Sequence, residues 1–155
     1  MSPKLNCQIV PFAEVPVDLS GEVLPRRYVI LVVDDEKVIA DSLSMILSMS
    51  GFATLTAYHG MDALELARVI PPDLLISDVV MPGMTGIELA IAMVDMISDC
   101  KVLLFSGQAA TADLLEQARD QGRNFTVLSK PVHPTDMLQR ISDCWNIQPT
   151  VAQGA

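Results

Sequence analysis

Three carboxylates stand where apolar runs end. Asp34 and Asp35 close the run Tyr28-Val29-Ile30-Leu31-Val32-Val33, and Asp78 closes Leu74-Leu75-Ile76-Ser77. An acid at the point where a buried strand breaks into a loop is held at the rim of the core, where it can serve as a nucleophile or a metal ligand. Acids crowded at one sheet edge repel each other, and a divalent cation taking oxygen ligands is the usual remedy. Ser106 ends Lys101-Val102-Leu103-Leu104-Phe105, and Lys130 ends Phe125-Thr126-Val127-Leu128-Ser129 just ahead of Pro131. A hydroxyl and a mobile ammonium at two further strand ends are the partners that the oxygens of a new anion would need. Singly, each residue has a plainer explanation: Asp35 as a helix cap, Asp34 as a solvated strand end, Lys130 as a surface charge, Ser106 as a turn former. Their common placement is what points to chemistry. Asp73, after Pro71-Pro72, reads as a turn residue, and His59 and His133 have no partner at ligand spacing.

The elements that would position these groups alternate along the chain. Strands are expected at residues 28–34 and 52–58, in a third run ending at 78, and at 101–106 and 125–129. Helices are expected at 36–50, 61–69, 86–97, 110–121 and 135–147. In the first helix Ile39, Leu43, Ile46 and Leu47 recur on one face, with Asp35 as N-cap and Gly51 just past the end. In the fourth, Leu114, Leu115 and Ala118 face inward. Five strands each followed by a helix call for an α/β fold, a doubly wound parallel sheet covered on both faces by right-handed crossovers. In such sheets the functional crevice lies beyond the carboxyl ends of the strands, where strand order reverses. With the order 2-1-3-4-5, Asp34 and Asp35 come beside Asp78, and Ser106 and Lys130 follow on strands four and five.

The chain has 155 residues, half of them apolar, enough for one core and one domain. Residues 1–27 hold Pro3, Pro11, Pro16 and Pro25 without clean periodicity and read as an extended or disordered tail, able to dock through Ile9, Val10, Phe12, Val15 and Val17. The domain is expected at 28–147 and a short tail at 148–155. A net charge of -9 with scattered basic residues argues against binding nucleic acid or an anionic membrane. Cys7, Cys100 and Cys144 show no ligand or disulfide spacing, which suits free thiols in a reducing compartment. There is no signal peptide pattern and no apolar stretch of spanning length, so a cytoplasmic protein is expected. The nine methionines read as core filler.

Taken together, Val32-Val33-Asp34-Asp35-Glu36, Asp78-Val79-Val80-Met81-Pro82-Gly83-Met84-Thr85-Gly86, Ser106-Gly107 and Lys130-Pro131 closely resemble the receiver domain of two-component response regulators. The resemblance spans residues 27–147. It implies a CheY-like fold and a phosphoryl group accepted on Asp78 from a phosphohistidine of a sensor histidine kinase or a histidine phosphotransfer protein. It also implies Mg2+ held by Asp35, Asp78 and the Val80 backbone carbonyl, with Asp34 acting through a coordinated water. Lys130 and Ser106 would bind the phosphoryl oxygens, Ser106 would switch the loop before the fourth helix, and the Pro131 peptide bond would be cis. The domain would be a signalling switch rather than an enzyme in the usual sense. Its output would pass to an unidentified protein partner, because no effector domain follows the fifth helix.

The chain departs from the family in four places. The family's usual aromatic three residues before the lysine is Val127, with Phe125 one pleat step away as its expected replacement in the switch. Ser106 stands where Thr is also common. Val80 and Gln108 occupy the positions flanking the path of attacking water, and an apolar Val80 implies a long-lived phosphoryl state. Gly122-Arg123-Asn124-Phe125 replaces the usual Gly-Ala turn. Two other function classes compete. A haloacid-dehalogenase-like phosphatase wants its nucleophile after strand one and an acid two residues later, a place held by Glu36. A pseudo-receiver would keep the fold and dock without phosphorylation.

Overall fold

A computed structural model of the protein describes residues 27–107, 111–123 and 125–145. Five strands and five helices alternate: β1 Val29–Val33, α1 Lys37–Met49, β2 Ala53–Ala57, α2 Gly60–Val69, β3 Leu74–Asp78, α3 Gly86–Met96, β4 Lys101–Ser106, α4 Thr111–Asp120, β5 Thr126–Ser129 and α5 Pro134–Trp145. The strands form one parallel sheet in the order β2-β1-β3-β4-β5. The sequence-based elements are all present, with ends shifted by a residue or two. The expected tails at 1–27 and 148–155 lie outside the described residues except for Arg27.

Alternating side chains on the central strands sort into two cores. Ile30, Val32, Leu74, Ile76, Leu103 and Phe105 pack with Ala40 and Leu47 of α1 and Met137, Leu138 and Ile141 of α5. Leu31, Val33, Leu75 and Leu104 face the other way, against α2, α3 and α4 through Ala63, Leu64, Leu89, Ala90, Met93 and Ala118. Because β1, β3 and β4 are covered on both sides, they read as unbroken apolar runs, as buried parallel strands do. Leu114 and Leu115 are only half-buried.

Three sequence expectations need correction. Asp35 does not cap α1: Glu36 is the N-cap, with no side-chain cap bond, while Asp34 Oδ1 accepts the Glu36 N–H at 2.9 Å. Asp73 is more than a turn residue. Its backbone N–H donates to the Val29 carbonyl at 2.7 Å, its Oδ2 accepts the Val29 N–H at 2.8 Å, and its carbonyl accepts from Lys101 N at 2.9 Å. Asp73 therefore stitches β1, β3 and β4 together at their amino ends. Methionine is not simply core filler, since Met81, Met93 and Met137 are buried but Met45, Met49, Met61 and Met96 are exposed.

At that same amino end, Trp145 of α5 stacks on Tyr28 with ring centroids 4.1 Å apart and lies 6.2 Å from the Phe52 ring. Arg27 beside them donates to the carbonyls of Gly51 and Phe52. The first and last described residues are thereby joined at the end of the sheet opposite Asp78.

Candidate functional site

Because β1 pairs with both β2 and β3, the carboxyl ends of β1 and β3 are adjacent and their terminal acids meet. One carboxylate oxygen from each of Asp34, Asp35 and Asp78 lies within 4.8 Å of the others, a set that could hold a metal ion. All are hard oxygen donors without Cys or His, the ligand chemistry that suits Mg2+ rather than a transition metal. Asp34 is buried, and desolvation, opposed by the Glu36 N–H and Lys130 and reinforced by Asp78 and Asp35, lifts its pKa above the ordinary carboxylate value. Asp35 and Asp78 are half-buried, so they keep access to solvent.

Lys130 reaches the acids from β5. Its Nζ lies 3.2 Å from Asp78 Oδ1 and 3.8 Å from Asp34 Oδ2. Its backbone N–H donates to the Ser106 carbonyl at 2.8 Å, which ties the ends of β4 and β5 together, and the Lys130–Pro131 peptide is cis as expected. The Lys130 stem passes Gly107, where a Cβ would be in ordinary contact with it. Ser106 is half-buried at the end of β4, opposite Ser129.

The loop after Asp78 is held from several sides. Val79 N–H donates to the Phe105 carbonyl at 3.0 Å, and Gly86 N–H donates to the Val79 carbonyl at 2.8 Å. Thr85 and Glu88 form a reciprocal capping box that starts α3. A Cβ on Gly86 would overlap the Asp78 backbone oxygen, and one on Gly60 would press on the Met84 side chain. These two glycines admit close approach of the loop. Sequence reading quoted Gly86 as part of a motif without this role and did not single out Gly60; the signal available for both was a glycine at the start of a helix. Val80 is exposed beside the acids.

Not every expected site residue joins the cluster. Gln108 lies outside the described residues. Val127 is half-buried in the core shared with α2, α3 and α4, and Phe125 packs on the same core but precedes β5. Phe125 lines a cavity of about 500 Å³ with Val94, Cys100, Val102 and Cys144, at the amino end of β4. Since Ser106 pairs with Ser129, the Phe125 ring starts four residues back from that level, about 13 Å along the sheet. Direct contact between this ring and Ser106 is thus outside its reach.

Residues 30–142 match the family model of the response regulator receiver domain. The chain belongs to the response regulator receiver family. It is 35% identical over 112 residues to the response regulator receiver protein CpdR of Brucella abortus, covering 72% of this chain and 92% of that one. It is 30% identical over 118 residues to the DNA-binding response regulator MtrA of Mycolicibacterium paratuberculosis, covering 74% of this chain but only 50% of MtrA. A CheY-like receiver domain protein from Methanospirillum hungatei has the same fold with a TM-score of 0.71 and 26% identity, covering 78% of this chain and 95% of that one. Receiver domains are signalling switches that take phosphate from histidine kinases or phosphotransfer proteins and bind Mg2+ at an acidic pocket. Among the described residues, no helix of this receiver is long and apolar enough to cross a membrane.

Proposed function

We propose that this receiver accepts a phosphoryl group on Asp78 from a phosphohistidine and passes the signal on through contact with another protein. The observation that carries the reading is the meeting of Asp34, Asp35 and Asp78 with the Lys130 ammonium 3.2 Å from the Asp78 carboxylate. In the transfer, an Asp78 carboxylate oxygen forms a bond to phosphorus as the phosphorus–nitrogen bond breaks, and the imidazole leaves with the electron pair. Both reactants are anions, so the reaction needs positive charge placed before it begins.

Asp35, Asp78 and the Val80 carbonyl would hold Mg2+ directly and Asp34 through a water, and the ion would supply charge neutralisation between the acceptor and the phosphoryl oxygens. Lys130 is poised to exchange its contact with Asp78 for one with a phosphoryl oxygen. Ser106, on the neighbouring strand, would donate its hydroxyl to a second oxygen and draw the end of β4 toward the site. That movement would change the surface formed by α4, β5 and α5, with Val127 in the core beneath it. We take the receiver domain as residues 28–147, in keeping with the family match over residues 30–142.

Intact-mass measurement after incubation with acetyl phosphate and Mg2+ tests the reading. A single phosphoryl adduct, absent without Mg2+ and absent in Asp78→Asn, is the expected result. Steady turnover of phosphate esters would favour the haloacid-dehalogenase class instead, and an unmodified mass would leave a docking module that works without phosphorylation.

A further inference from the structure

The outer face of α1 differs from those of the other helices. α2 carries Asp62, Glu65 and Arg68, α3 carries Glu88 and Asp95, α4 carries Asp113, Glu116, Arg119 and Asp120, and α5 carries Asp136, Arg140 and Asp143. No Asp, Glu, Lys or Arg occurs between Asp41 and Asp62, so the last two turns of α1 have no charge at all. On the solvent side of this helix Val38 is 77% exposed, Met45 63% and Met49 65%. With Ser42 they occupy successive turns within a stripe about 60° wide. A helix bordering water normally turns charge outward, and an uncharged stripe of large apolar residues interrupted only by Ser42 is the kind of surface that another segment covers.

The path of the chain indicates what the covering is. Arg27 is fixed by hydrogen bonds to the carbonyls of Gly51 and Phe52, immediately past the end of α1. The chain before Arg27 is therefore tethered near the end of α1. Within it Val15, Val17 and Leu19 alternate with Pro16, Asp18 and Ser20. An extended chain would present such alternate side chains on one edge about 6.6 Å apart. Met45 and Met49, four apart on the helix, are offset by about 6 Å, close to that repeat, and Val38 lies about 10.5 Å before Met45, within the reach of three such side chains. Residues 20–26 can span about 23 Å when extended, more than the roughly 16 Å from Met49 to Val38. A segment tethered so near the stripe meets it at an effective concentration on the order of millimolar, well above that of a free second copy.

We propose that residues 15–19 of this chain lie on the α1 stripe and cover Val38, Met45 and Met49. The exposed methionines among the described residues provide the test in the 155-residue chain, because peroxide oxidises each thioether in proportion to its access. Met61, 57% exposed on α2, is the internal reference. On exposure within the domain alone, Met45 and Met49 would oxidise as fast as Met61. With the cover in place about two-thirds of the time they oxidise roughly threefold more slowly, at every protein concentration. The double substitution Val17→Asp/Leu19→Asp, which leaves the core untouched, should bring them back to the rate of Met61. Equal rates in the unsubstituted protein would overturn the proposal. Protection that fades on dilution would overturn it in favour of a second copy, and protection that survives the double substitution would assign the cover elsewhere. None of these outcomes depends on whether Asp78 accepts phosphate.

Discussion

Asp34 illustrates how a buried acid of the candidate site opposes stability. Burial raises its pKa, so the folded protein binds this proton more tightly than the unfolded chain does. The contribution of Asp34 is therefore least favourable above its raised pKa and becomes more favourable as pH falls toward the ordinary carboxylate range. Asp34→Asn keeps an acceptor for the Glu36 N–H and removes the buried charge, and we expect it to stabilise the metal-free protein at neutral pH by about 1 kcal/mol. Thermal melts without metal should show that gain shrinking on acidification, and a loss of stability in Asp34→Asn at neutral pH would contradict the assignment. The same substitution should weaken Mg2+ binding by calorimetry, because one of the three acids is gone. Val80 is the second residue whose type matters. Its exposed isopropyl group beside Asp78 cannot orient water for attack on a phosphoryl group, so Val80→Asn should shorten the phosphoryl lifetime. Decay in the variant that is equal to or slower than in the parent would remove Val80 from this role.

At the scale of elements, much was legible because the central strands are buried on both faces and end in polar residues. Ser106 and Asp78 were placed correctly since each follows a run of apolar residues that only a covered parallel strand explains. The cap of α1 was misassigned because Asp34 and Asp35 are adjacent and only geometry decides which carboxylate turns back to Glu36. Asp73 looked like a turn residue because its bonds run to Val29 and Lys101, partners distant in sequence. The position of the Phe125 ring was not readable for a related reason: β5 starts at Thr126, and strand register decides how far a ring lies from Ser106. The loop joining β3 to α3 gives a sharp test of positioning by backbone proximity. Gly86→Ala would drive a methyl into the Asp78 carbonyl oxygen, a backbone atom that cannot step aside, and should cost at least about 2 kcal/mol in urea unfolding. Gly83→Ala in the same loop has open space but a φ of 76°, so strain alone should cost about 1 kcal/mol. Equal costs would show that the contact at Gly86 relaxes without consequence.

The molecule as a whole places its chemistry and its structural clasp at opposite ends of the sheet. Strand order and burial pattern made the acidic end readable, whereas the stacking of Tyr28 on Trp145 joins residues more than a hundred positions apart and left no local signal. From Tyr28 to Asp34 the chain runs along β1 for about 20 Å. Trp145 is the only tryptophan, so the intrinsic fluorescence of the protein reports on the clasp and not on the acids. Addition of Mg2+ should therefore leave tryptophan emission unchanged at concentrations where calorimetry detects binding to the acidic cluster. Unfolding should change the same emission strongly, because the stack with Tyr28 and the approach of Phe52 are lost together. Trp145→Ala should lower stability by about 2 kcal/mol, since a half-buried ring is removed from between two others, yet leave Mg2+ affinity within the error of the parent. Quenching of Trp145 that tracks Mg2+ occupancy would mean that the two ends of the sheet are coupled, and would require a movement of β1 or α5 that links them.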